Sequence, residues 1–599
     1  MPQFQLESLR SAKIHIRSNV HPAVAFAAQE LRKYLQRLTG IDVPVHDGSE
    51  VGGRTTLTIG VSPVPGLTPR LPERGAYAIR PEARQISLFG GSPRAVLAAA
   101  YALLEQCGCA WSLHDPDEEI VPDLRAQSVA ELAETAHTPA FRLRGYCSDI
   151  MTWHYTQPEH FRERLPEDRK LIDWMGKSGA STFFYIRHPF DTQLSIPELS
   201  AEFAQRAIDV EYGGHVIPLL MPRELFGERP DFFPQARSGE RVDHGNLCTS
   251  SADALALAAT NALAYVHEHP EMSALHIWGA DLWEGGWCHC PSCAAVGAQD
   301  QSLRVCNAVA AGLAAADRAR PVCYLAYHDT LDAQLTVRPD PMVFCEWAPR
   351  ERCYGHALDD NHCERNRRYR ASLERHLQWF DGRVRLFEYY GDAILYFGCA
   401  LPLAELVAAD MEYYRRIGIR EGLMLQFGAY STWAHPLSFL AFANATTTGS
   451  VSPAALRTSY CRRFGPDAEV AATAFAEIEH LMAAVVRYGD IRIPPRDEAL
   501  AATIRAAIAA TTPRLSEWVE QLGHSHNPAL RSQGDLLRYT LTVLEGVAQD
   551  IDKHGSGEVL FARALALIEA AERRFKGSWG AVDLPIIHSF YSARAQMAD

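Results

Sequence analysis

Long apolar runs are missing from this sequence. The longest stretches of small apolar residues, such as Val96–Leu104, fall far short of the roughly 20 residues a bilayer span needs, so no membrane segment is expected. Positive charge is in short supply as well. Lys and Arg number 58 against 72 Asp and Glu, a formal net charge of −14, which argues against a nucleic-acid partner. The N-terminal MPQFQLESLRSAKIHIRS lacks the apolar centre of a secretory signal, which points to a cytoplasmic protein with reduced cysteines. No glycine-rich phosphate loop, Ser-His-Asp motif or HExxH sequence is present to carry nucleotide, serine-hydrolase or zincin chemistry. Nothing reads as disordered, collagenous or repetitive.

What is present is a chain of 599 residues with 47% hydrophobic content, enough for several packed units. Residues 1–137 read as a small α+β domain. KIHIRS and TTLTIGV alternate like strands, and Leu31, Leu35 and Leu38 recur at helical spacing before Gly40. A second helix opens with Ser92 as its N-cap and Pro93 in its first turn. In residues 138–450, short apolar runs alternate with helical stretches: FRLRGYCSD, STFFYIRHP, AIDVEYGGH, ALHIWGAD, VCYLAYHD, MVFCEWAP, VRLFEYYGD and GLMLQFGAYS. Eight strand–helix units predict an α/β fold, a (β/α)8 TIM barrel, with a doubly wound open sheet as the alternative. Residues 451–599 are Ala-rich and helical in period, a C-terminal α-helical domain expected to pack against the barrel or a second subunit. A homo-oligomer stays open.

Reactive groups of such a barrel belong at the C-terminal ends of its strands. There the runs end in Asp149, in Arg187 and His188, in His215, in Asp281 and Glu284, in His328 and Asp329, in Glu346, in Glu388 and Asp392, and in Gln426. Aromatic residues accompany them: Trp283, Trp287, Trp347, Tyr389, Tyr390 and Trp433. Flat rings beside carboxylates suit a sugar, which presents C–H faces for stacking and hydroxyls for hydrogen bonds. An oligosaccharide or small glycoside is the expected partner. Glycoside cleavage needs a proton donor and either a carboxylate nucleophile or a neighbouring acetamido group. Glu284 and Asp281 after strand four, with Glu388 after strand seven, are the expected catalytic carboxylates. His215, His188, Asp149, Glu346 and the aromatic residues would bind substrate. No catalytic cofactor is called for.

One cluster stands apart. Cys288, Cys290 and Cys293 follow strand four at a spacing that can ligate a structural zinc, with Cys248 or Cys306 as fourth ligand; free thiols or one disulfide are the alternatives. Cys353 and Cys363 form a second pair.

The N-terminal segment, from PAVAFAAQELRKYLQRLTG to GSPRAVLAAAYALLEQCGCAWSLHDPDEEIVP, resembles the accessory domain that precedes the barrel in family 20 hexosaminidases and α-glucuronidases. EYGGHVIPLLMPRELF, NLCTSS, GADLWEGGWCHCPSC, RVCNAVA and RCYGHALDDNHCERN resemble bacterial proteins long described as a domain of unknown function. Some of these are placed in glycoside hydrolase family 163, endo-β-N-acetylglucosaminidases acting on N-glycans. The resemblance to family 20 implies a retaining mechanism in which the sugar's own acetamido oxygen attacks the anomeric carbon. It also implies a Gly-His after strand three and an Asp-Glu pair after strand four. His215 matches the first and Asp281 the Asp of the second. Leu282 stands where the Glu belongs, so the acid is Glu284, or Glu346 or Glu388 from another strand.

Overall fold

The computed structural model describes residues 3–16, 20–48, 56–61, 75–113, 116–148, 158–187, 197–332, 335–392, 395–396, 398–425, 428–487, 497–553 and 566. All eight apolar runs form strands: β1 (Leu143–Ser148), β2 (Thr182–Arg187), β3 (Asp209–Gly214), β4 (Met272–Ile277), β5 (Val322–Ala326), β6 (Val343–Trp347), β7 (Val384–Glu388) and β8 (Glu421–Leu425). Each pairs in parallel with its successor, and β8 pairs with β1, so the sheet closes into a barrel. The fold is a (β/α)8 TIM barrel. Helices follow most strands, among them Ala252–Glu268 after β3, Gly297–Ala315 after β4, Glu364–Trp379 after β6 and Ala404–Arg416 after β7. Between β5 and β6 the described chain forms only the short turn His328–Thr330.

Because successive side chains of a strand face opposite ways, each barrel strand sends one set inward and the other toward the helices. On β7, Phe387 meets Phe184 of β2 and Trp278 beyond β4, so Arg385, Phe387 and Tyr389 face the interior. Leu386, Glu388 and Tyr390 face the helices. The same parity holds on β6, where Phe344 and Glu346 face in and Trp347 faces out. At Gly213, β3 runs so close to β4 that an added Cβ would lie 2.1 Å from the carbonyl oxygen of His276, and its φ of +125° also calls for glycine.

The N-terminal part is a six-stranded mixed sheet covered by helices Pro22–Thr39 and Pro93–Gln106, with a hydrophobic core of its own. Gly40 caps the first helix at φ 73°, and the Ser92 hydroxyl accepts from the Ala95 amide at the start of the second. Arg94 joins this unit to the N-terminal ends of β2 and β3: its Nη1 donates to the carbonyls of Ser181 at 2.6 Å and Ala207 at 2.8 Å.

Beyond the barrel lie helices Pro453–Cys461, Ala468–Val486, Glu498–Gly523 and Pro528–Lys553, which share one hydrophobic core with the barrel. The expected helical stretch EVLFARALALIEAAERRFKG falls, apart from one residue, outside the described residues. Pro528–Lys553, which reaches back to the barrel, was not anticipated; the Thr540 hydroxyl accepts from the Ala400 amide at 2.8 Å. No helix among the described residues is long and apolar enough to cross a membrane.

Candidate active site

The barrel interior is polar at mid-height. His276 of β4 is fully buried and touches two carboxylates, Nε2 at 2.8 Å from Glu211 of β3 and Nδ1 at 3.1 Å from Glu346 of β6. With an acceptor on each side, both ring nitrogens donate and the ring is an imidazolium. Burial opposes that charge, but Cys323, Glu346 and Glu211 overcome it and raise its pKa well above the usual value. Arg385 of β7 adds a second cation, 2.6 Å from Glu211. Burial works against Glu211, yet Arg385 and His276 bring its pKa down to about 2. Two cations and two carboxylates thus balance inside the barrel. Phe184 stacks on the imidazole at 3.7 Å, and Trp278 and Phe387 pack above.

The mouth lies over this layer, at the C-terminal ends of the strands. His215, after the paired glycines of β3, meets the edge of Trp278 at 5.2 Å, with Nδ1 2.6 Å from the Gly279 carbonyl oxygen. Asp281 is exposed on the loop after β4. Tyr327, inward-facing after β5, has a pKa well above its ordinary value, chiefly through burial, with Arg350 opposing and Asp281, Glu351 and Asp392 adding to the rise. Those four residues therefore lie within electrostatic reach of it. Arg350, after β6, ties the group together: Nε is 3.0 Å from buried Asp392 and Nη1 is 3.5 Å from Glu351. His328 lies 3.6 Å from the same Glu351 carboxylate. Tyr389 faces the same space, packed on Phe387 at 5.4 Å.

The chain after β4 is folded against this group. Gly285 (φ +64°) approaches the Asp329 carboxylate and the Trp287 ring so closely that a Cβ would lie 2.0 Å from Oδ2 and 2.4 Å from Nε1. Asn246 clamps the same loop: its side chain accepts from Ala280 N at 2.7 Å and donates to Gly285 O at 2.6 Å. The turn Trp283–Gly286 is thereby set beside the turn after β5. Glu284 lies on that turn; the side chains of Glu284 and Trp283 are outside the described residues, as are Asp149, His188 and Gln426.

Other expected site residues lie away from the mouth. Glu388 points outward, its carboxylate fully buried against Tyr414 and 3.5 Å from Arg352 Nε. Strand alternation, which apolar runs buried on both faces do not display, is the reason. Tyr390 shares that face and donates to Asp410 at 3.1 Å. Trp347 also faces outward, wholly buried against the helix Glu364–Trp379, with Nε1 3.4 Å from Ser372 Oγ. Glu346 faces inward, but a layer below the mouth. Trp287 is buried beneath the Gly279–Gly285 loop, and Trp433 is held by Ser532 of the last helix at 3.0 Å. The mouth residues missed from sequence are Tyr327, Arg350 and Glu351; two-residue alternation continued past the ends of β5 and β6 picks out Tyr327 and Arg350.

Cys248, Cys288, Cys290 and Cys293 converge, their sulfurs all within 4.8 Å of one another, and Cys353 and Cys363 meet around His356 within the same limit. Cys306 is elsewhere, with its thiol donating to the Ile277 and Cys323 carbonyls.

The architecture is similar to that of known carbohydrate-active enzymes. A family GH115 4-O-methyl-α-glucuronidase with specificity for decorated arabinogalactans superposes with a TM-score of 0.61 at 12% identity, over 98% of this chain and 80% of the other. A GH138 enzyme targeting pectin rhamnogalacturonan II superposes with a TM-score of 0.57 at 11% identity, over 96% and 74% of the two chains. No curated protein matches the sequence. Residues 113–435, more than half of the sequence and most of the barrel, match the profile described as a domain of unknown function (DUF4838), and the chain belongs to that family.

Proposed function

We propose that the protein is a glycoside hydrolase acting on a β-linked N-acetylhexosamine or related sugar within an oligosaccharide or small glycoside. The observation that carries this reading is the convergence of Asp281, Tyr327, Arg350, Glu351 and Asp392 at one end of the barrel. Such a ring offers carboxylates and a cation to hydroxyls, and aromatic edges to a sugar face. The shared architecture with GH115 and GH138 enzymes is in keeping with it.

Glu284 is the proposed general acid, on the turn that Asn246 holds beside Asp329. With Glu388 turned outward, the proposed nucleophile is the substrate's own acetamido oxygen. In that sequence the acetamido oxygen bonds to the anomeric carbon, the glycosidic C–O bond breaks, and the departing oxygen takes the Glu284 proton. Water then gives a proton back to Glu284 and opens the cyclic intermediate with retained configuration. Asp281 orients the acetamido group, and His215 and Glu351 bind hydroxyls.

A panel of aryl glycosides tests this directly. Hydrolysis of β-N-acetylhexosaminides, blocked by a thiazoline analogue of the cyclic intermediate, is expected. Cleavage only of sugars without a 2-acetamido group would point to a two-carboxylate exo-glycosidase. Binding of glycosides without hydrolysis of any would leave a carbohydrate-binding protein.

A further inference from the structure

The four converging cysteines come from two segments that border the mouth. Cys248 lies near the end of the long loop that leads from β3 to helix Ala252–Glu268, while Cys288, Cys290 and Cys293 follow β4. All four are buried, and together they form a cluster separate from the two hydrophobic cores. Cys248 Sγ lies 3.8 Å from Cys290 Sγ and 3.9 Å from Cys293 Sγ. A disulfide brings its sulfurs to about 2.05 Å. Four thiolates held tetrahedrally at about 2.3 Å from zinc stand about 3.8 Å from one another.

The surroundings match thiolates better than thiols. The backbone amides of Gln235 and Cys290 point at Cys288 Sγ, at 3.3 and 3.5 Å, and Arg241 Nη1 approaches it at 3.8 Å. Ser250 Oγ lies 3.1 Å from Cys248 Sγ and 3.4 Å from Cys290 Sγ, and Thr249 Oγ1 lies 3.5 Å from Cys293 Sγ. Gln301 fixes the loop itself, accepting from the Cys288 amide and donating to the carbonyls of Cys288 and Cys293. Hydrogen bonds to coordinated sulfur and a nearby cation are what a doubly negative four-thiolate metal centre needs in its surroundings.

We propose that Cys248, Cys288, Cys290 and Cys293 bind one zinc ion through four thiolates. Binding releases the four thiol protons and leaves no open position, so the metal is structural and carries no water to the substrate. Its place explains its use. The zinc ties the loop after β3 to the chain just beyond the Trp283–Gly286 turn, and Asn246 crosses between the same segments two residues before Cys248. The metal thereby fixes the turn that carries Glu284. This last step rests on the catalytic role proposed for Glu284; the metal site itself does not.

Elemental analysis of the purified 599-residue protein tests the site, with about one zinc per chain expected. Exchange with cobalt should give the intense visible bands of a tetrahedral ion and the near-ultraviolet charge transfer of thiolate ligands. Cys248→Ser should lose most of the zinc, whereas Cys306→Ser should keep it. Should Cys248→Ser fail to fold, the cobalt spectrum of the unaltered protein still decides. Metal content at trace level, a disulfide among the four, or an octahedral cobalt spectrum overturns the proposal. Zinc in a protein that cleaves no glycoside would leave the metal site standing and remove the enzymatic reading; activity in a metal-free protein would do the reverse.

Discussion

The Tyr414 hydroxyl donates to the Glu388 carboxylate across the boundary between β7 and the helix Ala404–Arg416. Arg352 lies beside the same carboxylate and also pairs with Asp410, so one cation serves two buried acids. Both acids have raised pKa values because burial outweighs Arg352, and Asp410 raises Glu388 further. The cluster holds a proton more tightly folded than unfolded.

From this follows a pH dependence of definite sign. The stability contributed by that bound proton is full below the ordinary carboxylate value of 4.5 and is lost as pH rises through the folded-state pKa of Glu388. Glu388→Gln mimics the protonated acid. Its thermal midpoint should fall less between acidic and alkaline buffers than that of the unaltered protein, while glycoside turnover stays at the original level. A large loss of turnover in this variant, at unchanged stability, would return Glu388 to the catalytic machinery. Tyr414→Phe should cost about 1–3 kcal/mol in denaturant titrations, the range for leaving a buried acceptor without its donor.

Glu284→Gln should lower turnover of natural glycosides by roughly 10²–10⁴-fold, the usual worth of a general acid. An aryl glycoside with a good leaving group needs less protonation, so its first chemical step should lose far less. Equal losses on both substrates would take the acid role away from Glu284.

Inside the barrel, acid is the threat. Glu211 is an ion-paired carboxylate depressed to about 2, so its contribution is present above 4.5 and disappears as pH falls through about 2. Glu211→Gln leaves His276 and Arg385 with one carboxylate fewer. It should cost about 3–5 kcal/mol at neutral pH, the range for breaking a buried pair, and should flatten the loss of stability in acid. Equilibrium unfolding at several pH values measures both effects.

Gly213→Ala should destabilise by about 3 kcal/mol or more, because a Cβ meets the β4 backbone and the left-handed conformation adds strain. Urea titration of the purified variant, or failure to recover it folded, is the readout; a cost below about 1 kcal/mol would contradict it.

The architecture was readable because each barrel strand is a short run such as VCYLA or VRLFE set between longer polar stretches. That same richness in apolar residues hid which way each side chain points. In LFEYYGD, residues facing the interior and those facing the helices are equally hydrophobic, so Glu388 and Tyr389 looked equivalent although they lie on opposite sides of the sheet. Trp347 was misleading for the same reason. Tyr327 reads as one more aromatic of the run VCYLAYHD, and Arg350 stands just past MVFCEWAP, where an arginine is an ordinary loop residue. The choice of Cys248 over Cys306 is a matter of three-dimensional convergence, which spacing along the chain does not encode. Helix Pro528–Lys553 has a clear apolar stripe, with Leu530, Leu537, Leu541 and Leu544 buried and Arg538 and Glu545 exposed, but it lacks the alanine runs that mark its neighbours.

The contacts of Arg94 with Ser181 and Ala207 place the N-terminal unit at the N-terminal ends of the barrel strands, opposite the end that carries Asp281 and Tyr327. That unit is a foot and not a lid. A tether attached on the side of that unit remote from the barrel would therefore immobilise the protein with its opening directed away from the support, free to receive chains too large to diffuse through a crowded surface layer.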